Sequence, residues 1–551
     1  MIKFRIVSSL EKVFYDDNVE MFQKVNKFTA YKNQRLSFQI VATDDNAQER
    51  YTRYQVKLNG KLAKYAKFFS VEMIPSSMPV YRDSYDTNYL RTTPGLYPDL
   101  LMPLRNRNSL SPTFGQLRSF WCEFDFNGEV EEGTYDTNIE FYVLNTDECV
   151  ASERIMIKVL PVSLPEQTIK VTQWFHCDCL ADYYNVDVFS ERHWEIINNF
   201  MKTAVKNGQN MILTPTFTPA FDTEIGGERP TVQLVDVTVE NGDYCFGFEK
   251  LNRWIEICKK NGIKYYEIAP FFTQWGAKHA PKVMATVDGE YKRIFGWETD
   301  SAGEEYISFL RKFISAFVDY MKSIGEDKKC HFHISDEPNN DRLESYKALK
   351  NSVSDLIKDY YCMDALSDYD FYLKGAVDHP VAATSHITPF LEGGVEGLWC
   401  YYCCGQNIGT SNRFFSMPSA RTRMLGTQMY KYNIAGFLQW GYNFYYNHMS
   451  RDLINPFVES AGEYFYPSGD GYIVYPANDG TAYESIRLKV FYEALEDMRA
   501  MQLCETLYSH DEVVAEIEKV CGEVRFDRCP HTSEEMLAIR RRIDEMVEAK
   551  I

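Results

Sequence analysis

No run of about 18 consecutive apolar residues occurs along the chain, so a membrane-spanning helix is not expected. Long stripes of Lys and Arg are absent too. The 551 residues carry a formal net charge of −19, which repels a phosphate backbone and argues against a nucleic-acid partner. Three phosphate and nucleophile signatures are missing: GxGxxG followed by an acidic residue, GxxxxGK[ST], and the GxSxG elbow. The N-terminal Met1-Ile2-Lys3-Phe4-Arg5-Ile6-Val7 alternates like a strand and has no apolar core of a leader peptide.

Cysteine is plentiful at 14, but its placement does not suit a disulfide framework. Cys177 and Cys179, and the adjacent Cys403 and Cys404, are too close to bridge comfortably within each pair. Buried reduced thiols are the expected state, and a cytoplasmic location follows from them and from the missing leader. Zinc on His176, Cys177 and Cys179 with the Cys400–Cys403 spacing is disfavoured, because the latter lies in an apolar aromatic run without a Gly-rich turn. No metal and no cofactor is expected.

Aromatic residues reach 15% of the chain. Such rings serve as core material and as platforms for the C–H faces of sugars.

Two rhythms divide the sequence. Residues 1–165 read as all-β, with short alternating runs at Arg35–Val41, Tyr51–Leu58, Lys67–Met73, Ser119–Phe126, Asn138–Val143 and Arg154–Leu160. Turn pairs such as Asn59-Gly60 and Asn127-Gly128 fall between them, and a β-sandwich is expected. The Tyr-, Pro- and Asn-rich stretch Arg82–Thr113 reads as long loops reaching toward a second domain. Pro161 and Pro165 mark the exit.

From 166 to 505 strand and helix patterns alternate, predicting a (β/α)8 TIM-like barrel. Its predicted strands are Ile169–His176, Asn210–Thr214, Lys264–Ala269, Cys330–Asp336, Asp370–Val377, Gly397–Tyr402, Ala435–Trp440 and Gly471–Tyr475. Residues 506–551 form a helical extension, with Met536, Ile539, Ile543 and Val547 on one stripe.

The chemistry concentrates at His331-Phe332-His333-Ile334-Ser335-Asp336-Glu337-Pro338. It reads as a buried strand ending in two adjacent acids, closed by a proline that cannot donate to a ladder. Adjacent carboxyls at a buried strand end push their pKa values apart, which lets one hold a proton as general acid. Capping of the next helix is the plainer use of such acids. Alternation puts His331, His333, Ser335 and Glu337 on the inner face and Phe332 and Ile334 on the outer; Asp336 must turn inward to act. Chelation of a metal by His331 and His333 is a third reading, and a buried histidine supporting Glu337 fits better. Other strand ends supply candidate substrate contacts: Trp174 and His176, Arg229, Trp275 and Lys278, Asn339, Trp399 and Tyr401, and Trp440, Tyr442 and Asn443. Tryptophans from several strand ends would make an aromatic box around one sugar.

The Ser335-Asp336-Glu337-Pro338 end, the Trp275-Gly276 loop, the segment Gly436-Phe437-Leu438-Gln439-Trp440-Gly441-Tyr442-Asn443, and Asp470-Gly471-Tyr472-Ile473-Val474-Tyr475-Pro476 followed by Ser485-Ile486-Arg487 together resemble glycoside hydrolase family 123. The resemblance covers about residues 168–505. It implies a sandwich joined to a barrel, and a retaining, metal-free β-N-acetylgalactosaminidase acting on glycans. It implies that Glu337 is the general acid/base and that Asp336 orients the 2-acetamido group and stabilises an oxazolinium-like intermediate. Ordinary glycosidases set two carboxyls about 5–9.5 Å apart across the ring. Neighbouring acids rarely do so, but a substrate that brings its own nucleophile does not need it. A β-N-acetylglucosaminide or other hexoside as substrate, and a non-catalytic glycan-binding protein, remain alternatives.

Overall fold

The structure, a computed structural model, describes residues 2–44, 52–104, 108–112, 115–274, 276–337 and 343–551. Trp275 and Asn339 lie outside the described residues.

Alternation along the N-terminal strands builds two five-stranded sheets. One runs Ile2–Ser8, Arg35–Asp44, Arg118–Asp125, Ala66–Ser76 and Gly95–Pro103 in spatial order, antiparallel throughout. The other runs Lys27–Ala30, Cys149–Val159, Gly133–Val143, Tyr54–Asn59 and Ser109–Leu110, with a parallel pair at its edge. Arg118–Asp125 shows why the sheets stack: Phe120, Cys122 and Phe124 share an apolar cluster with Val56, Ile139, Phe141, Ile155 and Ile157 of the other sheet. Trp121, of opposite parity, joins the larger cluster shared with the C-terminal region. Glu123 on that same face meets Lys489 at 2.7 Å, and Lys489 meets Glu484 at 2.9 Å. The charges buried at this junction are therefore paired, as burial demands.

Eight parallel strands form one nearly closed sheet. They are β1 Lys170–Gln173, β2 Met211–Thr214, β3 Tyr265–Ile268, β4 Cys330–Phe332, β5 Tyr361–Leu366, β6 His379–Ala383, β7 Trp399–Tyr401 and β8 Gly436–Gln439. Pairing runs β1-β8-β7-β6-β5-β4-β3-β2. Asn210 bridges the remaining gap: its N–H donates to Val171 O (3.2 Å) and its Oδ1 accepts from Val171 N (2.8 Å). Met211, Leu213, Met363, Ala365, Val381, Ala383, Trp399, Tyr401 and Leu438 fill the interior. Ile212, Phe332 and Phe437 point outward to the helices.

Two of the expected strands need correction, and one strand was not expected. Asp370–Val377 holds a short helix, Tyr369–Leu373, and the strand lies earlier, at Tyr361–Leu366. His379–Ala383 is a strand the sequence reading missed. Gly471–Tyr475 lies outside the eight-stranded sheet; Tyr475–Pro476 pairs with Ala482–Tyr483 instead. A four-stranded sheet from 236 to 295 is inserted after β2 and β3.

The C-terminal helices His510–Cys521 and Ser533–Glu548 each begin with a capping box, Ser509 with Glu512 and Thr532 with Glu535. Met536, Ile539, Ile543 and Val547 are buried. Arg540 of the last helix meets Asp497 at 2.7 Å and also donates to Gln34 of the N-terminal region.

Candidate active site

The C-terminal end of β4 carries the two acids. Past Phe332 the backbone leaves the ladder, and Glu337 takes φ +45°, a left-handed conformation uncommon for a residue with a side chain. Its Oε1 accepts the Tyr401 hydroxyl from the end of β7 at 2.9 Å. Burial and the neighbouring carboxylate hold the Tyr401 phenol well above its usual range, so it stays a donor. Burial first, and then the Glu337 charge, push Asp336 well above the usual carboxylate range. His333 opposes that shift, while Asp364 and Glu267 add to it. Asp336 therefore keeps its proton to higher pH than an isolated carboxyl does.

Beneath the pair lies a fully buried polar chain. His333 Nε2 meets Glu267 Oε1 of β3 at 2.8 Å, and its Nδ1 meets Asp364 Oδ1 of β5 at 3.1 Å. Glu267 also accepts Trp174 Nε1 (2.7 Å) and the Thr172 hydroxyl. Asp364 accepts the Ile334 N–H at 3.1 Å and the Tyr346 hydroxyl. Burial alone would lower the His333 pKa, but its bonds to the two carboxylates raise it to about 10. A charged imidazolium thus staples β3, β4 and β5 just below the catalytic candidates. His331, two residues earlier, points to the opposite end, where it meets Lys170 Nζ at 3.1 Å.

Other candidates divide into two groups. Trp174 stacks on Phe221 at 3.9 Å below the mouth. Trp440, half-buried after β8, donates its Nε1 to Asp470 Oδ2 at 2.8 Å. Lys278 is exposed beside a cavity of about 770 Å³ that His279, Asp300 and Ser345 also line. His176, Arg229 and Asn443 spend their polar atoms inside the protein. His176 Nε2–H donates to Trp440 O (2.8 Å), and Arg229 pairs with Asp178 (2.6 Å). Asn443 brackets both backbone groups of His176, at 2.9 and 3.0 Å. Burial and the Arg229 charge lower His176 to about 4, so it is neutral.

Trp399 and Tyr442 are not at the mouth. Trp399, 1% exposed, lies at the entry end of β7, packed on Gly436 and facing Tyr361, His331 and Lys170. Tyr442 is stacked on Phe175 in the layer outside the sheet, its hydroxyl on Phe200 O at 3.0 Å. Trp399 therefore does not join Trp440 in an aromatic box at the mouth, and Trp275 lies outside the described residues.

Asp470 and Arg413 were missed as site residues. Arg413 ties Gln173 Oε1 (2.6 Å), Gly441 O (2.5 Å) and Asp470 O (3.0 Å) together beneath the mouth. Burial raises Asp470 to about 6, against the pull of Arg413 and the Trp440 indole.

With this geometry, comparison with known proteins decides the family. The model of the glycoside hydrolase 123 catalytic domain matches residues 174–504. The chain belongs to glycoside hydrolase family 123. It is a glycoside hydrolase, and its substrate is a glycan. A family 123 glycoside hydrolase from Clostridium perfringens, solved in work on glycolipid glycan hydrolysis, superposes with a TM-score of 0.75 at 15% identity, over 100% of this chain and 98% of that one. A family 39 glycoside hydrolase from Bacteroides cellulosilyticus WH2 gives 0.32 at 11% identity, over 86% of this chain and 81% of its own. A family 10 xylanase from Thermobacillus composti gives 0.30 at 12%, over 60% and 97%. No curated protein matches this family 123 chain in sequence. Among the described residues no helix is long and apolar enough to cross a membrane.

Proposed function

We propose that this chain is a retaining β-N-acetylgalactosaminidase that uses the 2-acetamido oxygen of its substrate as the nucleophile. The observation that supports it most is the placement of Asp336 and Glu337 side by side above the buried His333 cluster, with the Asp336 carboxyl raised well above its usual range and Glu337 held by Tyr401. Glu337 protonates the glycosidic oxygen as the acetamido oxygen closes on C1 and the C1–O bond breaks. Asp336 accepts the acetamido N–H. That donor favours the charged form of Asp336, which leaves Glu337 as the acid that delivers the proton to the leaving oxygen. Asp336 next offsets the positive charge of the oxazolinium. Water, deprotonated by Glu337, opens the ring from the same face, so the anomer is retained.

The division into a sandwich at 1–165, a (β/α)8 barrel at 166–505 and a helical extension at 506–551 belongs to the same proposal. So does a reducing cytoplasmic location, which the free and mostly buried thiols support.

The test is a set of nitrophenyl glycosides with and without the 2-acetamido group. The N-acetylgalactosaminide is hydrolysed and the 2-hydroxy galactoside is not. A thiazoline mimic of the cyclised intermediate binds far more tightly than product. Efficient cleavage of the 2-hydroxy galactoside, or a sugar ester trapped on a carboxylate, overturns the mechanism.

A further inference from the structure

We propose that the aromatic turn at 461–466 is the aglycone subsite, a stacking platform for the sugar that carries the cleaved residue. The proposal rests on the hexosaminidase reading above and deepens it.

The turn belongs to the long segment that follows β8, so it stands at the same end of the sheet as Glu337. Ring contacts run from Trp440 through the fully buried Tyr466 to the turn, which they support from beneath. Trp440 meets Tyr466 edge-on at 5.5 Å, Tyr466 meets Phe465 at 6.0 Å, and Phe465 stacks flat on His448 at 3.4 Å and 7°. Tyr464 projects from the turn 70% exposed, and Phe465 is 40% exposed. Ile225, on the loop after β2 that Glu224 ties to Met449 and Arg451, is 70% exposed.

This exposure is held at a cost. Glu463 and Tyr464 have φ +59° and +70°, following Gly462 at +56°. Two adjacent side-chain-bearing residues in left-handed backbone, one of them a bulky aromatic, persist only where the surroundings over-determine them. Here they do. Phe465 N and Tyr466 N both donate to Ala461 O (3.0 and 3.2 Å), His448 N donates to Gly462 O (3.3 Å), and Asn447 Nδ2 donates to Glu463 Oε2 (2.7 Å). The loop after β2 is clamped in the same way: Glu224 N donates to Met449 O (3.0 Å), and Arg451 pairs with Glu224 (2.8 Å). Met449, Ser450 and Asp222 are left-handed as well, at +61°, +52° and +41°. Strain spread over both rim loops, ending in a solvent-facing phenol ring, is what a preorganised binding surface requires.

The occupant follows from chemistry and position. Flat aromatic faces with carboxylate and amide groups beside them suit a pyranose, which offers C–H faces and hydroxyl edges. The exposed rings stand on the segment after β8, at the same end of the sheet as Glu337 and packed through Tyr466 onto Trp440, so the ligand that reaches them is the remainder of the glycan being cleaved.

Three substrates test this: methyl, octyl and galactosyl β-N-acetylgalactosaminides. Tyr464→Gly should raise KM for the galactosyl disaccharide roughly 5- to 10-fold, the loss of one aromatic stack. KM for the methyl glycoside should stay within about twofold, and Tyr464→Phe should behave as wild type on all three. Glycine adopts φ +70° freely, so Tyr464→Gly should melt no lower than wild type while binding the disaccharide less well. An unchanged disaccharide KM, or an equal rise for the methyl glycoside, overturns the platform. A rise confined to the octyl glycoside overturns its assignment to a sugar. A wild-type enzyme inactive on all three overturns the N-acetylgalactosaminidase reading, and the platform with it.

Discussion

The Tyr401 hydroxyl donates to Glu337 Oε1 at 2.9 Å, joining the mouth ends of β7 and β4. A hydrogen bond to a charged partner contributes about 1.5–3 kcal/mol, so Tyr401→Phe should lower kcat/KM by about 10- to 100-fold. The fold loses no volume in that change, and the melting temperature should move by only a few degrees.

Glu337→Gln should remove about 10²–10⁴-fold of activity on glycosides with poor leaving groups. Leaving groups that depart without a proton should lose much less. Rates on a nitrophenyl and a disaccharide substrate decide it; equal losses on both would take the acid role away from Glu337.

Asp336 is costly to the fold. Its carboxyl is raised well above 3.8 in the folded protein, chiefly by burial and then by Glu337. Folding therefore favours its protonated form. The favourable contribution is fully present below the unfolded pKa and is lost as pH rises through the folded one. Asp336→Asn should accordingly melt higher than wild type at pH 7–8, with the difference shrinking toward pH 4, while kcat falls strongly. Melting curves at several pH values would show it, and a variant less stable at every pH would contradict it.

The β4 end was legible because its two parities separate cleanly: His331 and His333 face inward, Phe332 and Ile334 outward. β5 was not legible, because Tyr361–Leu366 carries Asp364 at its centre. A charge in mid-strand reads as surface until its partner is known, and here the partner is His333, 31 residues earlier. β6 holds Pro380, and the helices after β5 and β6 are five residues long, too short to show a period. Trp399 was misplaced for another reason. Alternation correctly puts Trp399 and Tyr401 on one inner face, but two residues along a strand span about 6.6 Å, enough to separate the floor of the sheet from its mouth. Arg413 sits in an irregular segment after β7, where spacing carries no information about what it touches.

The floor position of Trp399 gives a prediction of its own. A Cβ on Gly436 would lie 2.1 Å from the Trp399 ring. Gly436→Ala should destabilise the protein by about 1–3 kcal/mol through overpacking. Trp399→Phe should cost stability as well, yet leave KM for any glycoside unchanged, since the ring faces Lys170 and Tyr361 and not the mouth. Denaturant melts with parallel kinetics separate the two effects, and a raised KM in Trp399→Phe would return that ring to the substrate.

His333 should betray its charge in the pH dependence of stability. Its folded pKa is raised to about 10 by bonds to Asp364 and Glu267, from the 6.5 of an ordinary imidazole. A group raised in this way stabilises the fold fully below 6.5, and its contribution is lost as pH climbs through about 10. Wild type should therefore lose stability across that window, and His333→Gln should lack that component of the loss. Removing one partner of a buried ion pair costs about 3–5 kcal/mol, so His333→Gln should start that much less stable near neutral pH. Asp364 also accepts the Ile334 N–H, two residues before Asp336. Loosening the staple should for that reason lower kcat more than it raises KM, because the acids lose their aim while the rest of the mouth remains. Urea unfolding at pH 6, 8 and 10, for wild type beside His333→Gln, measures the linkage directly; parallel pH profiles would mean that the imidazole is neutral in the folded enzyme.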